Sequence, residues 1–354
     1  MRTTIGAEEE FVLLDPPALT PVARAADAIA ALGGRRADGG AVTPEFFPSQ
    51  LEYATPVCRT AADVSTALEG FRTELREWAA SAGLLAAGVG LPYRTAPDAR
   101  VTDHERYRDI ASRFGLVVPD HQLNGLHVHV GVDDREEAIV ALNRLRPWVP
   151  ALLALSANSP FWQGADTGFD SWRAIHSRRW TTHGVPPAFV DAADYDRRAA
   201  ALGGVGGTSD AGTLNWVVRP SERYPTIEVR AFDAQLDDTT SSALAALVRG
   251  LVVSPADGRG GEVLPPELLD AAHWHAARDG LGGELLDPRD GRLHPATEVV
   301  AGLLATAGPG LAEHNETDLV HDAVALLLAD GNGATRQRRA LAQGGTAGLA
   351  ALIS

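Results

Sequence analysis

The chain has 354 residues, 45% of them apolar, a single cysteine (Cys58) and a formal net charge of -15 with a pI near 5.1. A chain of this length can bury a core without covalent help, and one cysteine excludes an internal disulfide and a cysteine-cluster metal site. The acidic balance argues against nucleic acid as a partner, and the opening MRTTIGAEEEF lacks the apolar run of a signal peptide. No stretch is expected to span a bilayer, so the expectation is a cytoplasmic protein without membrane contact.

Residues 3–15, TTIGAEEEFVLLD, predict a strand, stopped by Asp15-Pro16-Pro17. Pro21–Leu32 reads as a short alanine-rich helix ended by Gly33-Gly34, and SQLEYATPV as an extended segment closed by proline. Thr60–Ala82 predicts a helix, because Val64, Leu68, Phe71, Leu75 and Trp78 recur at helical spacing. Gly88–Pro92 suggests a short strand and turn. Gly125–Val132 alternates with period two and predicts a second strand. Glu136–Leu155 reads as one or two helices interrupted at Pro147 and Pro150. Ser156–Pro187 is loop-rich and polar-aromatic, a pattern associated with function, and Gly203–Gly212 is a glycine-rich loop. Leu214–Arg219 and Thr226–Phe232 look like paired strands, Ser241–Val253 is helical, and helix dominates beyond Pro265. There is no repeat or linker, which points to a single α+β domain over residues 1–354.

Several residues on these elements carry chemistry. Glu8 and Glu10 share a strand face and Glu9 faces away; two adjacent carboxylates are costly without a cation, although a charged edge strand reads the same way. Glu45 and Glu52 fall on opposite faces of any regular strand and converge only if the segment bends, as Pro48 permits. His127 and His129 share one face, and neutral imidazole ligates divalent metals. Glu228 and Arg230 also share a face, pairing a metal-binding carboxylate with a phosphate-binding guanidinium, and Arg219 on the preceding strand could reach the same cleft. The alternative for that pair is a cross-strand ion pair. Asp233 is a further acceptor or a strand terminator. Arg173, His176, Arg178 and Arg179 form a local positive cluster suited to an anion. Gly203-Gly-Val-Gly-Gly lacks the lysine of a P-loop.

TIGAEEEF, SQLEYATPVC, GLHVHVGV, LSANSPFWQGADTGFDSWRAIHSRRW, WVVRPSERYPTIEVRAFDA and GNGATRQRR occur in this order. The set resembles the bacterial carboxylate–amine ligases of glutamate–cysteine ligase type 2 (the YbdK-type family), from the N-terminus to about Arg339. The resemblance implies a glutamine synthetase-like catalytic domain: a curved antiparallel sheet with helices on its convex side, and ATP, metals and substrate on the other. It implies Glu10, Glu45 and Glu52 at one magnesium ion and Glu8, His127 and Glu228 at another, with manganese as the alternative metal. Arg230, Arg219 and Arg173 would act on the transferred phosphate or the substrate carboxylate, and Arg178, Arg179, His176 and His129 would bind the nucleotide. The implied reaction is ATP-dependent amide formation through an acyl phosphate, with glutamate and cysteine as the candidate carboxylate and amine and a homodimer as the candidate assembly. A metal-dependent amide hydrolase and a non-catalytic nucleotide-binding relative are the alternatives. Two features depart from the family pattern: Thr181 stands where proline is expected, and Arg259–Pro295 lacks the arginine-rich helix expected there, keeping only HWHAARDGL.

Overall fold

Alternation along the first strand divides the molecule into two faces. The computed structural model describes residues 3–97, 99–208, 211–255 and 263–354. Its strands are β1 (Ile5–Leu14), β2 (Ala41–Pro44), β3 (Gln50–Ala54), β4 (Leu85–Ala87), β5 (Gly125–Gly131), β6 (Phe161–Trp162), β7 (Ala165–Asp166), β8 (Val218–Pro220), β9 (Thr226–Asp233), β10 (Glu284–Asp287) and β11 (Arg292–Pro295). Its helices are α1 (Ala25–Leu32), α2 (Ala61–Ser81), α3 (Glu105–Phe114), α4 (Arg135–Leu145), α5 (Val149–Ser156), α6 (Trp172–Ser177), α7 (Ala192–Gly204), α8 (Asp238–Val253), α9 (Pro266–Asp279), α10 (Ala296–His314), α11 (Thr317–Asp330) and α12 (Gly333–Ile353). The main sheet runs β2-β3-β1-β5-β9-β8, each pair antiparallel, with β4 on the far end of β1. β6–β7 and β10–β11 are separate hairpins.

One face of the sheet is apolar and carries the helices. Ile5, Ala7, Phe11 and Leu13 of β1, Leu126, Val128 and Val130 of β5, and Ile227 and Val229 of β9 join one core with Leu68 and Phe71 of α2 and Leu244 and Leu247 of α8. The predicted helix over Thr60–Ala82 is found with Thr60 as its N-cap, in a reciprocal pair with Asp63. Glu9 lies on this apolar face, fully buried, with Arg72 of α2 at 2.8 Å. It also accepts from the Gln235 amide at 2.9 Å and the Ser241 hydroxyl at 3.0 Å. The residue is absent from the polar face, as strand parity requires, and ties β1 to α2 and α8.

The other face is polar from Glu8 to Glu10. Beyond it, Val12 and Leu14 are covered by a second small core containing Val89, Phe161, Leu349 and Ile353, so the C-terminal helix closes that end.

Some expectations shift. The strand expected at Gly88–Pro92 is instead found before it, as β4, and beyond β4 Gly90 passes so close to β9 that a Cβ there would sit 2.6 Å from Asp233 Cγ. Arg135–Ser156 is long and apolar enough to cross a membrane by length and composition, contrary to the sequence reading. Here 78% of its most apolar window is buried inside the protein, and the helix is broken at Arg146–Trp148. The sequence reading assigns no element to the segments that form α3 and α7, and it reads the segment that forms α6 as loop-rich. α6 is six residues long, too short to show a period, whereas in α3 Tyr107, Ile110 and Phe114 do fall on one face. Of the glycine-rich loop, Ser209 and Asp210 lie outside the described residues, as do residues 259–262 of the Arg259–Pro295 stretch.

Candidate active site

Cross-strand register decides what stands beside Glu8 and Glu10. Glu10 is opposite Glu52, Glu8 opposite His127, His129 opposite Glu228, and Glu228 opposite Arg219. Directly opposed residues on a pleated sheet share a face about 5 Å apart, so these side chains converge. Glu45 joins them from the corner between β2 and β3. The chain does bend there, held by the Thr102 hydroxyl donating to the Glu45 carbonyl at 2.6 Å. The register of β5 on β9 slips between Leu126 and Val128, so Arg230 and Ala231 together face His127. That bulge brings Arg230 Nη1 to 3.3 Å from His127 Nδ1 and into contact with Glu228.

Three overlapping groups result, each with ligand atoms within 4.8 Å of one another: Glu10–Glu45–Glu52, Glu8–Glu52–His127 and Glu8–His129–Glu228. His129 therefore stands with Glu8 and Glu228, where the sequence reading put His127; His127 stands between Glu8 at 3.5 Å and Glu10 at 3.9 Å. Gly125 donates its amide to Glu10 at 2.6 Å, and a Cβ at this position would lie 2.4 Å from Arg173 Nη2, so a glycine is needed for Arg173 to cross the strand.

Electrostatics separate the two ends. Burial raises Glu8, but hydrogen bonds from His127 and His129 outweigh it and hold the carboxyl well below its ordinary range. Burial likewise opposes ionisation of Glu228, and the guanidiniums of Arg230 and Arg219 reverse that, holding it at about 2. At the other end burial and the charge of Glu10 push Glu45 up to about 8, and burial and Glu8 push Glu52 well above its ordinary value. Such like-charged clustering is what a divalent cation relieves, and oxygen ligands with imidazole fit a hard metal ion. The sign of the linkage follows. A carboxyl raised in the fold costs nothing below 4.5, where it is protonated in both states. Its cost grows as pH rises towards about 8, where the unfolded chain has already ionised. His129, raised by Glu8 despite burial, adds the same sign, and the lowered Glu8 and Glu228 act below this window. In EDTA the melting midpoint should fall from about pH 7 to about pH 8.5, above the window in which the lowered His121, His127, His176, His183 and His273 act with the opposite sign, and magnesium should raise it most at the alkaline end. A midpoint gain from magnesium that is flat with pH would contradict this.

The remaining candidates divide. Arg173 lines the cleft, 9% exposed, donating at 3.4 Å to the carbonyls of Arg230 and Ala231. Arg219 uses Nε on Glu228 at 3.1 Å and Nη1 on the carbonyls of Gly212 and Leu214, so it fastens a loop to the sheet. His176, Arg178 and Arg179 stand outside the cleft wall. His176 lies against the Asp120 carbonyl, Arg179 pairs with Asp120, and Arg178 pairs with Asp270 of α9. Asp233 is a buried hub that accepts from the Asn158 amide and the hydroxyls of Ser159 and Ser171. The motif GNGATRQRR is structural: Gln337 donates to Asn158, and Arg338 pairs with Asp166 and Asp170. Thr181 sits on the cleft rim, bonded to the Gly207 carbonyl.

Missing from the sequence reading are Tyr107 and Phe114 of α3, His121, Trp180 as a cleft residue, and Tyr224, whose ring lies edge-on to His129. The available signal was the seven-residue spacing of Tyr107 and Phe114, which puts both on one helix face. The cleft encloses about 370 Å³, within the range of small-molecule sites.

The sequence model of the family described as Glutamate-cysteine ligase family 2 matches residues 4–351. A protein of Saccharopolyspora erythraea, provisionally named glutamate–cysteine ligase 2-2, is 40% identical over 357 residues, which cover 99% of this chain and 91% of that one. A Salinispora arenicola protein, provisionally named glutamate–cysteine ligase 2, is 41% identical over 347 residues, covering 96% and 90%. The structure of a glutamate–cysteine ligase from Francisella tularensis in complex with AMP matches with a TM-score of 0.67 and 12% identity, over 100% of this chain and 88% of that one. A bifunctional glutathione synthetase from Pasteurella multocida matches with a TM-score of 0.66 and 16% identity, over 99% of this chain and 51% of that longer one. At such identities the structural likeness speaks for the fold, and the α+β ligase fold that the motifs imply is the fold found.

Proposed function

The chain belongs to the glutamate-cysteine ligase family 2, and on that premise we propose that it is an ATP-dependent carboxylate–amine ligase acting through an acyl phosphate. The observation that carries this reading is the convergence of Glu8, Glu10, Glu45, Glu52 and Glu228 with two imidazoles on one face of the sheet. Few other uses for so many neighbouring carboxylates repay their repulsion.

In this reading Glu10, Glu45 and Glu52 hold one divalent cation, and Glu8, Glu228 and His129 a second, with His127 between them. Magnesium is the expected metal and manganese the alternative. When bound, the cations supply charge neutralisation for the transferred phosphoryl group. Arg230 stands on the same face and is suited to the phosphoryl oxygens, and Arg173 to an anionic carboxylate. Arg219 acts through Glu228 as a positioning residue. A substrate carboxylate oxygen attacks the γ-phosphorus and the bond to ADP breaks. The amine nitrogen then attacks the acyl carbon, phosphate leaves, and the nitrogen loses its proton. Glutamate and cysteine are the candidate pair, on a single domain spanning residues 1–354.

The test is product analysis with ATP, magnesium and panels of carboxylates and amines. ADP and phosphate should appear in step with amide. AMP with pyrophosphate would overturn the acyl-phosphate route. Amide cleavage without ATP would point to a hydrolase, and ATP bound without turnover to a non-catalytic relative.

A further inference from the structure

Beside Glu45 and Glu52 the cleft changes chemistry, and we propose, resting on the ligase reading above, that this part accepts a bulky apolar or aromatic group carried by the amine substrate. Phe46 follows Glu45 and stands edge-on to Tyr107, with ring centroids 5.2 Å apart. Phe114 meets Trp180 edge-on at 4.8 Å, and Trp180 meets His121 at 4.9 Å. Tyr107, Ile110 and Phe114 are spaced three and seven apart on α3, so one face of that helix supplies them all. All six residues line the cleft. The indole of Trp180 donates to a His121 ring nitrogen at 2.9 Å. That bond needs an unprotonated nitrogen there, and burial together with the charges of His176 and Arg179 holds His121 well below its ordinary value. The six wall residues are aromatic or apolar, and Arg106 lines the cleft beside Tyr107.

Its position selects the occupant. Phe46 follows Glu45 directly in the chain, Tyr107 meets Phe46 edge-on, and Glu45 and Glu52 line the same cleft as both rings, so the wall begins at the carboxylates. A nucleotide base is separated from its transferred phosphoryl by two phosphates and a ribose. The side chain of an amine is joined to its reacting nitrogen through an atom or two. Of the two, the amine's side chain can reach a wall that begins at the carboxylates. The acyl donor is an anion, and the guanidinium that suits it, Arg173, comes from α6. An ammonium group is favoured by neighbouring carboxylates and by aromatic faces. A small amine leaves this wall wet, and each methylene placed in such a pocket changes kcat/KM by roughly tenfold or more.

The experiment is ADP release by the full-length protein with ATP, magnesium and a carboxylate panel, against ammonia, glycine, cysteine, leucine, phenylalanine and tyramine. Leucine, phenylalanine or tyramine should exceed cysteine and ammonia in kcat/KM by at least about tenfold. In Ile110→Ala and Phe114→Ala the KM for that amine should rise about tenfold, with the KM for ATP moving less than twofold. ADP release that favours ammonia or cysteine would overturn the proposal while leaving the ligase reading intact. A rise in the KM for ATP alone would assign the wall to adenine and overturn it too. No ADP release with any pair would overturn both.

Discussion

Replacing Glu228 by glutamine is expected to slow ADP release by about 100- to 1,000-fold or more while leaving a cooperatively folded protein. The side chain is 3% exposed and lies between Arg219 and Arg230, with Glu8 and His129 across the strand pair. Glutamine keeps its volume, but its Nε2 is a donor, so it can accept only one of the two guanidinium bonds that Arg219 and Arg230 make to the carboxylate; the packing should survive that loss. It removes a charge present at every working pH, because the two guanidiniums hold this carboxyl at about 2. The loss should therefore be flat across neutral pH, which separates removal of a ligand from removal of a titrating base. Two guanidiniums losing their counter-ion should also lower the melting midpoint, so circular dichroism and a melt accompany the assay. Glu74→Gln, which breaks a surface pair with Arg36, is the control for loss of one carboxylate. Activity within tenfold of the parent would remove Glu228 from the proposed metal site.

The site was legible in proportion to how local its geometry is. Glu8 with Glu10, His127 with His129, and Glu228 with Arg230 are each two residues apart on a strand, and period-two geometry alone puts each pair on a face. Which pairs meet depends on register, a long-range property, and so His129 was first separated from Glu8 and Glu228. Glu45 needed the corner after β2, which Pro48 made permissible without fixing it. The arginine cluster misled for a related reason. Arg173 and Arg178 are five residues apart on and just beyond a short helix, and only Arg173 turns into the cleft, while Arg178 and Arg179 meet Asp270 and Asp120. Composition could show a positive run but not which acids would meet it. The aromatic wall is hard to read because α3 is rich in charge and its apolar face is only three residues wide, although Tyr107, Ile110 and Phe114 do share that face.

The same first strand carries the largest expected effect on stability. Arg72→Ala should cost about 3–5 kcal/mol, because it leaves the Glu9 carboxylate fully buried without its ion-pair partner. Arg72 also donates to the carbonyls of Gln235 at 2.9 Å and Leu236 at 3.3 Å, so the turn between β9 and α8 loses two acceptor bonds as well. The consequence reaches the site through geometry. Glu9 sits between Glu8 and Glu10 in the chain, and displacement of β1 by one residue would turn both site carboxylates into the core. Urea unfolding followed by circular dichroism measures the loss, and magnesium-dependent stabilisation measures whether the carboxylate cluster survives it. The double replacement Glu9→Leu with Arg72→Met removes both charges and should recover most of the loss. A single Arg72→Ala variant within about 1 kcal/mol of the parent would mean that water or Ser241 suffices for Glu9, and that α2 does not hold the strand through this pair.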